Sequence, residues 1–277
     1  MKLRSLFTIA LLFVVNSVFA NEGAHEGLAD QVLEKVGLYE IISSFPEQIE
    51  AQFAQQSPFS TNQEASRKAA EALISSFNEH EAKAYMLEYA IKNTKVEELE
   101  KMLVWLNSPL GTRFTASEIE AGTVEGQSNL MRYAADLNSN PPSQERVLLI
   151  QEYEQKAQLT KNVLEVIKAM MIGAAKGINM AVPEPEKLSD QEVEAKMAEV
   201  VGNMMPMMER MMWQQMLITA HYMYRDFSEK EIREYIAFLQ SSEGQRYISL
   251  GQGAGEVFGR IINESFIDMV QENEHSN

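Results

Sequence analysis

The sequence predicts an all-α protein, and three observations carry that prediction. Strand signals are almost absent, Ala, Glu, Gln, Met and Leu dominate, and apolar residues recur at three- and four-residue spacing. A fourth feature sets the plan: residues 98–126 recur as residues 231–259 at a constant offset of 133, without a gap. Glu98/Glu231, Leu106/Leu239, Ser108/Ser241, Gly111/Gly244, Arg113/Arg246, Ala121/Ala254, Gly122/Gly255, Val124/Val257 and Gly126/Gly259 are identical, while Trp105/Phe238 and Phe114/Tyr247 keep aromatic bulk.

Along the chain, Lys2 and Arg4 precede an apolar run from Leu6 to Val15, and Val18-Phe19-Ala20 is a small-residue cleavage site. Residues 1–20 therefore read as a cleavable signal peptide, and the absence of cysteine points to a bacterial periplasm rather than to a disulfide-built secreted fold. Leu28, Val32 and Val36 form the first helical stripe, ended by Gly37. Leu99, Met102, Leu103 and Leu106 form a second, repeated by Ile232, Ile236 and Leu239. Asn140-Pro141-Pro142-Ser143 is the clearest break. It divides the mature chain into two tandem helical-bundle repeats, 21–139 and 140–277. Val32-Leu33-Glu34 against Val163-Leu164-Glu165, and Tyr89 against Tyr222, carry the repeat upstream. One long helix is expected from about Ser143 to Met180, before a second break at Val182-Pro183-Glu184-Pro185. Ser189 with Glu192, and Ser228 with Glu231, are capping boxes that start the helices after it.

The repeated block contains a helix–helix elbow. Ser108 is placed to cap the second helix, Pro109 falls at its first position where a missing N–H costs nothing, and Gly111 admits the preceding helix. Ser241 and Gly244 repeat the arrangement, with Glu243 near the positive end of the helix dipole. Gly122/Gly126 and Gly255/Gly259 form G-x-x-x-G in both copies. Each glycine in a helix costs about 1 kcal/mol relative to alanine, so close helix packing is expected at all four. Arg113 and Arg246 are the repeated basic residues. A salt bridge or carbonyl contact holding the elbow is expected of them, with an anion site as the alternative.

The run Asp226-Phe227-Ser228-Glu229-Lys230-Glu231-Ile232, followed by Phe238-Leu239-Gln240-Ser241-Ser242-Glu243-Gly244-Gln245-Arg246, resembles an uncharacterised family of exported bacterial proteins, domain of unknown function two-thousand-fifty-nine. Its pattern is an acidic capped helix, an aromatic pair and Ser-Pro-x-Gly. The first copy keeps Ser108-Pro109-Leu110-Gly111 but has Asn93-Thr94-Lys95-Val96 in place of the cap, and the second has Ser242 in place of proline. The resemblance implies an all-α exported protein and no activity.

Function is less legible. A net charge of −16, or −18 without Lys2 and Arg4, disfavours nucleic acid and anionic lipid. The most apolar stretch after the leader, Val163 to Val182, contains Glu165, Lys168 and Lys176 and does not read as a membrane span. No nucleophile elbow, phosphate loop, dinucleotide fingerprint or histidine metal spacing is present. His25, His80, His221 and His275 pair with nothing; His80 reads as solvated and His221 as a core residue. No cofactor and no catalytic residue are expected, although paired carboxylates of a hydrolase stay open.

The compositional anomaly is the run from Met204 to Met212, with Met216 beyond. Met204, Met208, Met211 and Met212 are expected on one helical face, with Pro206 starting or kinking the helix. Core packing, a hydrophobic groove for a protein or peptide, and Cu(I) ligation by thioethers are the readings, in that order. The expected function is a non-catalytic binding or scaffold module, with a protein or peptide partner and a homodimer through the Met surface. The alternatives are a soft-metal binder and a hydrolase.

Overall fold

The computed structural model describes residues 23–56, 63–137, 139–180, 182–183 and 185–275. The signal peptide expected over residues 1–20 and its cleavage site lie outside the described residues. Every regular element among them is helical. α1 covers residues 23–35 and is ended by Gly37 at φ +75°. There follow α2 (Leu38–Ser43), α3 (Phe45–Gln56), α4 (Gln63–Ser76), α5 (Glu79–Asn93), α6 (Val96–Leu106), α7 (Pro109–Gly122), α8 (Val124–Asp136), α9 (Gln144–Ala157), α10 (Leu159–Met180), α11 (Asp190–Met223), α12 (Glu229–Gln240) and α13 (Ser242–His275).

Both elbows form as their residues dictate. The Gly111 N–H donates to Ser108 Oγ at 2.9 Å and the Gly244 N–H to Ser241 Oγ at 3.1 Å. A Cβ on Gly111 would stand 2.1 Å from the Trp105 carbonyl oxygen, and one on Gly244 2.0 Å from that of Phe238. No side chain fits either place. The capping boxes at Ser189/Glu192 and Ser228/Glu231 are both closed.

The two elbows face each other. Trp105 stacks on Phe238 with centroids 4.6 Å apart and planes 7° from parallel. Arg113 pairs with Glu231, and Arg246 with Glu98 at 3.2 Å. These are ion pairs rather than an anion site, and each runs from one copy of the motif to the other. Tyr222 donates to Glu120 at 2.6 Å, and 133 residues away in each member the Tyr89 ring lies against Gly253.

Two hydrophobic cores result, and each draws on both sides of the Asn140–Ser143 break. The first gathers Val32, Leu33, Met86, Leu99 and Met102 with Leu250, Val257, Phe258 and Ile261 of α13. The second gathers Phe114, Ala121 and Leu130 of α7 and α8 with Ile150, Tyr153, Tyr224, Ile232 and Leu239. The helix after each elbow thus reaches across the break: α7 packs with residues of α9, α11 and α12, and α13 with residues of α5 and α6 as well as on α10.

Three expectations change. The long helix from Ser143 breaks at Gln158, which adopts φ +53°. There the Glu154 carboxylate accepts from the Thr160 N–H, and Asn162 Nδ2 donates to the Ala157 carbonyl, so side chains replace the lost helical partners. The G-x-x-x-G pairs behave differently in the two copies. In the second, Cβ atoms on Gly255 and Gly259 would stand 3.0 Å from Val166 and 3.1 Å from the Ala169 carbonyl oxygen, and one on Gly173 2.4 Å from that of Gly259. Small residues there bring α10 and α13 into close contact. In the first, Thr123 interrupts the helix, so Gly122 ends α7 and faces open space while Gly126 sits in α8 against the Glu120 carbonyl. Close packing fails at Gly122.

The third change concerns the methionines, which are not core. Met204, Met207 and Met211 are 46%, 70% and 63% exposed. Met205, Met208, Met212 and Met216 are half-buried. Spacing of three and four splits the run into an outward and an inward row, so Met204 and Met211 lie apart from Met208 and Met212. α11 runs unbroken through Pro206.

Candidate functional site

The second core contains a carboxylate. Glu118, in the middle of α7, is surrounded by tyrosines from four places in the chain. The Tyr224 and Tyr235 hydroxyls each donate to Oε1 at 2.7 Å, and the Tyr247 hydroxyl donates to Oε2 at 3.0 Å. The Tyr153 and Tyr224 oxygens lie 2.6 Å apart. Since the one proton of Tyr224 goes to Glu118, Tyr224 accepts from Tyr153. Tyr153 comes from α9, Tyr224 from the residue after α11, Tyr235 from α12 and Tyr247 from α13.

Local structure fixes each of these groups. Arg146 of α9 donates to the carbonyls of Tyr224 and Phe227, holding the turn after α11. Ser117 donates to the Met223 carbonyl and Glu120 accepts from Tyr222, so the neighbours of Glu118 tie α7 to the end of α11. Phe114, one turn before Glu118, packs on Phe227 at 4.1 Å and on Tyr235 at 4.2 Å between ring centroids. The elbow stack continues into the cluster, since Trp105 also lies parallel to Tyr235 at 5.7 Å.

The electrostatics follow from enclosure. Burial pushes the Glu118 carboxyl above its ordinary value, and the donated hydrogen bonds of Tyr224, Tyr235 and Tyr247 pull it part of the way back. Burial, and then the charge of Glu118, holds the phenols of Tyr153, Tyr224, Tyr235 and Tyr247 well above theirs. At neutral pH they are hydrogen-bond donors. Among the described residues no Lys, Arg or His side chain pairs with Glu118, and three of its roughly four acceptor positions are filled by neutral groups.

Glu118 is packed by protein on its tyrosine side and keeps part of its surface open to a cavity of about 650 Å³. Tyr153, Tyr235 and Tyr247 line the same space, with Ile119, Leu159, Leu239, Ile248 and Leu250 as apolar wall. α2, α3 and the residue between them close one side through Leu38, Ile41, Ser44 and Gln48. Glu40, Glu47 and Glu125, all exposed, stand at its outer edge. Gly122 lines the cavity as well, and a Cβ there would meet no atom within 4 Å.

Of the residues singled out in the sequence, Ser108, Pro109, Gly111, Arg113, Ser241, Gly244 and Arg246 build the elbows. Gly126, Gly255 and Gly259 admit neighbouring backbone, and Gly122 lines the cavity, as do Val36, Val124 and Leu239. His221 is buried and His80 exposed. Among the described residues no group of three His, Cys, Asp or Glu side chains is arranged to hold a metal ion. No helix among them is long and apolar enough to cross a membrane.

Sequence reasoning missed Glu118 and its tyrosines. A signal existed in the repeat. At the offset of 133, Ile91 faces Tyr224, Met102 faces Tyr235, Phe114 faces Tyr247 and Gly251 faces Glu118. Four positions that are apolar or bare in one register are polar in the other, and all four polar ones meet. No family model, no curated protein and no solved structure matches this chain.

Proposed function

We propose that this chain is a non-catalytic binding module whose site is the cavity beside Glu118, taking an apolar molecule end-on with the carboxylate as its polar contact. One observation carries this reading: a space of about 650 Å³ with aliphatic walls reaches a carboxylate held by three phenols. Its size lies within the range of small-molecule sites, and a mostly apolar lining with few placed polar groups is their usual make-up. Titration with a neutral, environment-sensitive naphthylamine dye is the test. One dye per chain is expected, with Gly122→Leu weakening it about tenfold, ~1.4 kcal/mol, at unchanged melting temperature. Absence of saturable uptake, or uptake indifferent to Gly122→Leu, overturns the reading.

The architecture belongs to the same proposal. Two tandem helical repeats, 21–139 and 140–277, have exchanged the helices that follow their elbows, which encloses the cavity between them. The reciprocal ion pairs Arg113–Glu231 and Arg246–Glu98 support this. An exported, periplasmic location and kinship with the family named above fit such a carrier, and detection of the mature chain in a periplasmic fraction tests the location.

A second reading concerns the outward methionine row. Met204, Met207 and Met211, with Val200 and Ile178 also exposed, present thioethers and aliphatic surface suited to a peptide, a second copy or Cu(I). Mass by light scattering, and competition for Cu(I) with a chromophoric chelator, separate these uses.

A further inference from the structure

We infer that the ligand of this cavity is a cationic amphiphile, an aliphatic body ending in a primary or secondary ammonium that docks on Glu118. The inference rests on the binding reading above and adds the charge of the ligand's head. The first support is the sign of the lining. Among the described residues the cavity is lined by Glu40, Glu47, Glu118 and Glu125 and by no Lys, Arg or His. A carboxylate or phosphate head would meet like charge at the mouth and again at the end. A cation is drawn along the whole path, and the chain's net charge of −16 adds to that attraction at a distance.

The second support is the coordination of Glu118. Its donors are three phenols, all neutral, so its ionised form has partners for its lone pairs but no counter-charge. Enclosed carboxylates are ordinarily paired with a cation. Oε2 receives one phenol where Oε1 receives two, which leaves a position for one more donor. An ammonium N–H fits that position and brings the missing charge. An alcohol offers the hydrogen bond without the charge, and a quaternary ammonium the charge without the hydrogen bond.

The third support is aromatic. The rings of Tyr153 and Tyr235, 5.7 Å apart between centroids, both border the cavity beside the carboxylate, as does Tyr247. Electron-rich faces around a carboxylate add to the stabilisation of an organic cation. Where the carboxylate stands, the sequence 133 residues on has Gly251, which lines the same cavity but offers no charge. The aliphatic wall from Ile119 to Leu250 accommodates the body of the molecule.

A headgroup series at one chain length tests the inference: decylamine, decanol, decanoate and decyltrimethylammonium, each displacing the neutral dye from the mature chain at physiological salt. Decylammonium is expected to bind at least about tenfold more tightly than decanol, with decanoate weakest and the quaternary salt between the first two. Glu118→Gln should abolish the preference for the amine over the alcohol while keeping dye uptake. For the intact protein, the preference should grow as pH rises and Glu118 ionises. Equal affinity for amine and alcohol, or a preference that survives in Glu118→Gln, overturns the cationic head and leaves the cavity reading standing. Failure of all four compounds and the dye to bind overturns both. The series on the intact chain decides the matter even if Glu118→Gln does not fold.

Discussion

The two cores are built on the same elbows and differ in what those elbows enclose. Among the described residues, the buried side chains of the first, Met102 and Leu250 among them, include no tyrosine, and Tyr39, Tyr85 and Tyr89 pack only partly buried at its margin. Around the second, Tyr224, Tyr235 and Tyr247 turn hydroxyls inward onto Glu118. A lone phenol in such a core would leave its O–H unsatisfied, and a lone carboxylate would leave a bare charge, each at a cost of kilocalories. Together they satisfy one another. The comparison teaches that the polar groups make sense only as a set, and that the set sits where a cavity reaches it. The buried members of the first core are apolar, so the helices there pack without a carboxylate at their centre.

That contrast can be broken most forcefully at Glu118. Glu118→Leu takes the carboxylate acceptor from three enclosed phenols, of which Tyr224 has another oxygen, that of Tyr153, within reach at 2.6 Å, and should cost about 3 kcal/mol, read from urea midpoints at constant slope. Adding Tyr224→Phe, Tyr235→Phe and Tyr247→Phe should return most of that loss, because removing both sides of a buried hydrogen bond is close to neutral. A quadruple variant no more stable than Glu118→Leu would mean that the cluster is held by packing rather than by its hydrogen bonds.

The next effect compares glycines. Gly111→Ala and Gly244→Ala each press a methyl to within about 2 Å of a carbonyl oxygen and should cost about 2 kcal/mol apiece. Gly122→Leu, in open space, should change stability by less than about 0.5 kcal/mol. Matched losses at 111 and 244 sharpen the equivalence of the elbows, and a loss confined to one of them would break it.

These positions also mark how far the sequence could be read. The elbows were legible because their chemistry is local: Ser108 caps a helix three residues away, and Pro109 and Gly111 act on adjacent turns. Fold class was legible through periodicity. Gly122 was misread because the repeat implied one helix through Gly126, whereas Thr123 Oγ1 accepts from the Gly126 N–H and starts a new one. The methionines were misread because apolar composition suggests burial, while α11 packs chiefly on α10 and a helix with neighbours on one side buries one face. Glu118 was not legible alone. It is one acid among 40 acidic residues, and its partners come from positions up to 129 residues away.

A smaller effect concerns pH and sets Glu118 against Glu231. Glu118 has its carboxyl pKa raised by burial, so between the ordinary value of 4.5 and that raised value the folded chain holds a proton the unfolded chain has lost. Its contribution to stability therefore declines as pH rises through that window. Glu231 is lowered to about 2, first by the Ser228 backbone N–H and then by Arg113. Its contribution is present above 4.5 and declines as pH falls toward 2. Denaturation across pH 3 to 8 should give a slope that Glu118→Gln removes on the neutral side and Glu231→Gln on the acid side. A neutral-side slope that persists in Glu118→Gln would assign it to another group.

The smallest effect lies in the reciprocal ion pairs. Arg113 is half exposed, and Arg246 and Glu98 are about a third exposed, so water screens both pairs. Each should contribute under about 1 kcal/mol, less at high salt. Their value is as a symmetry test. Reversing Arg113 alone should cost a few tenths of a kcal/mol, and reversing Glu231 with it should restore the loss only in part, because Glu231 also closes the Ser228 capping box. Glu98 likewise accepts from the Lys95 N–H at 2.8 Å, so the Arg246/Glu98 reversal should show the same partial recovery. Two cycles of equal coupling would make the two contacts one feature used twice. Coupling in only one would mean that the two contacts are not energetically equivalent.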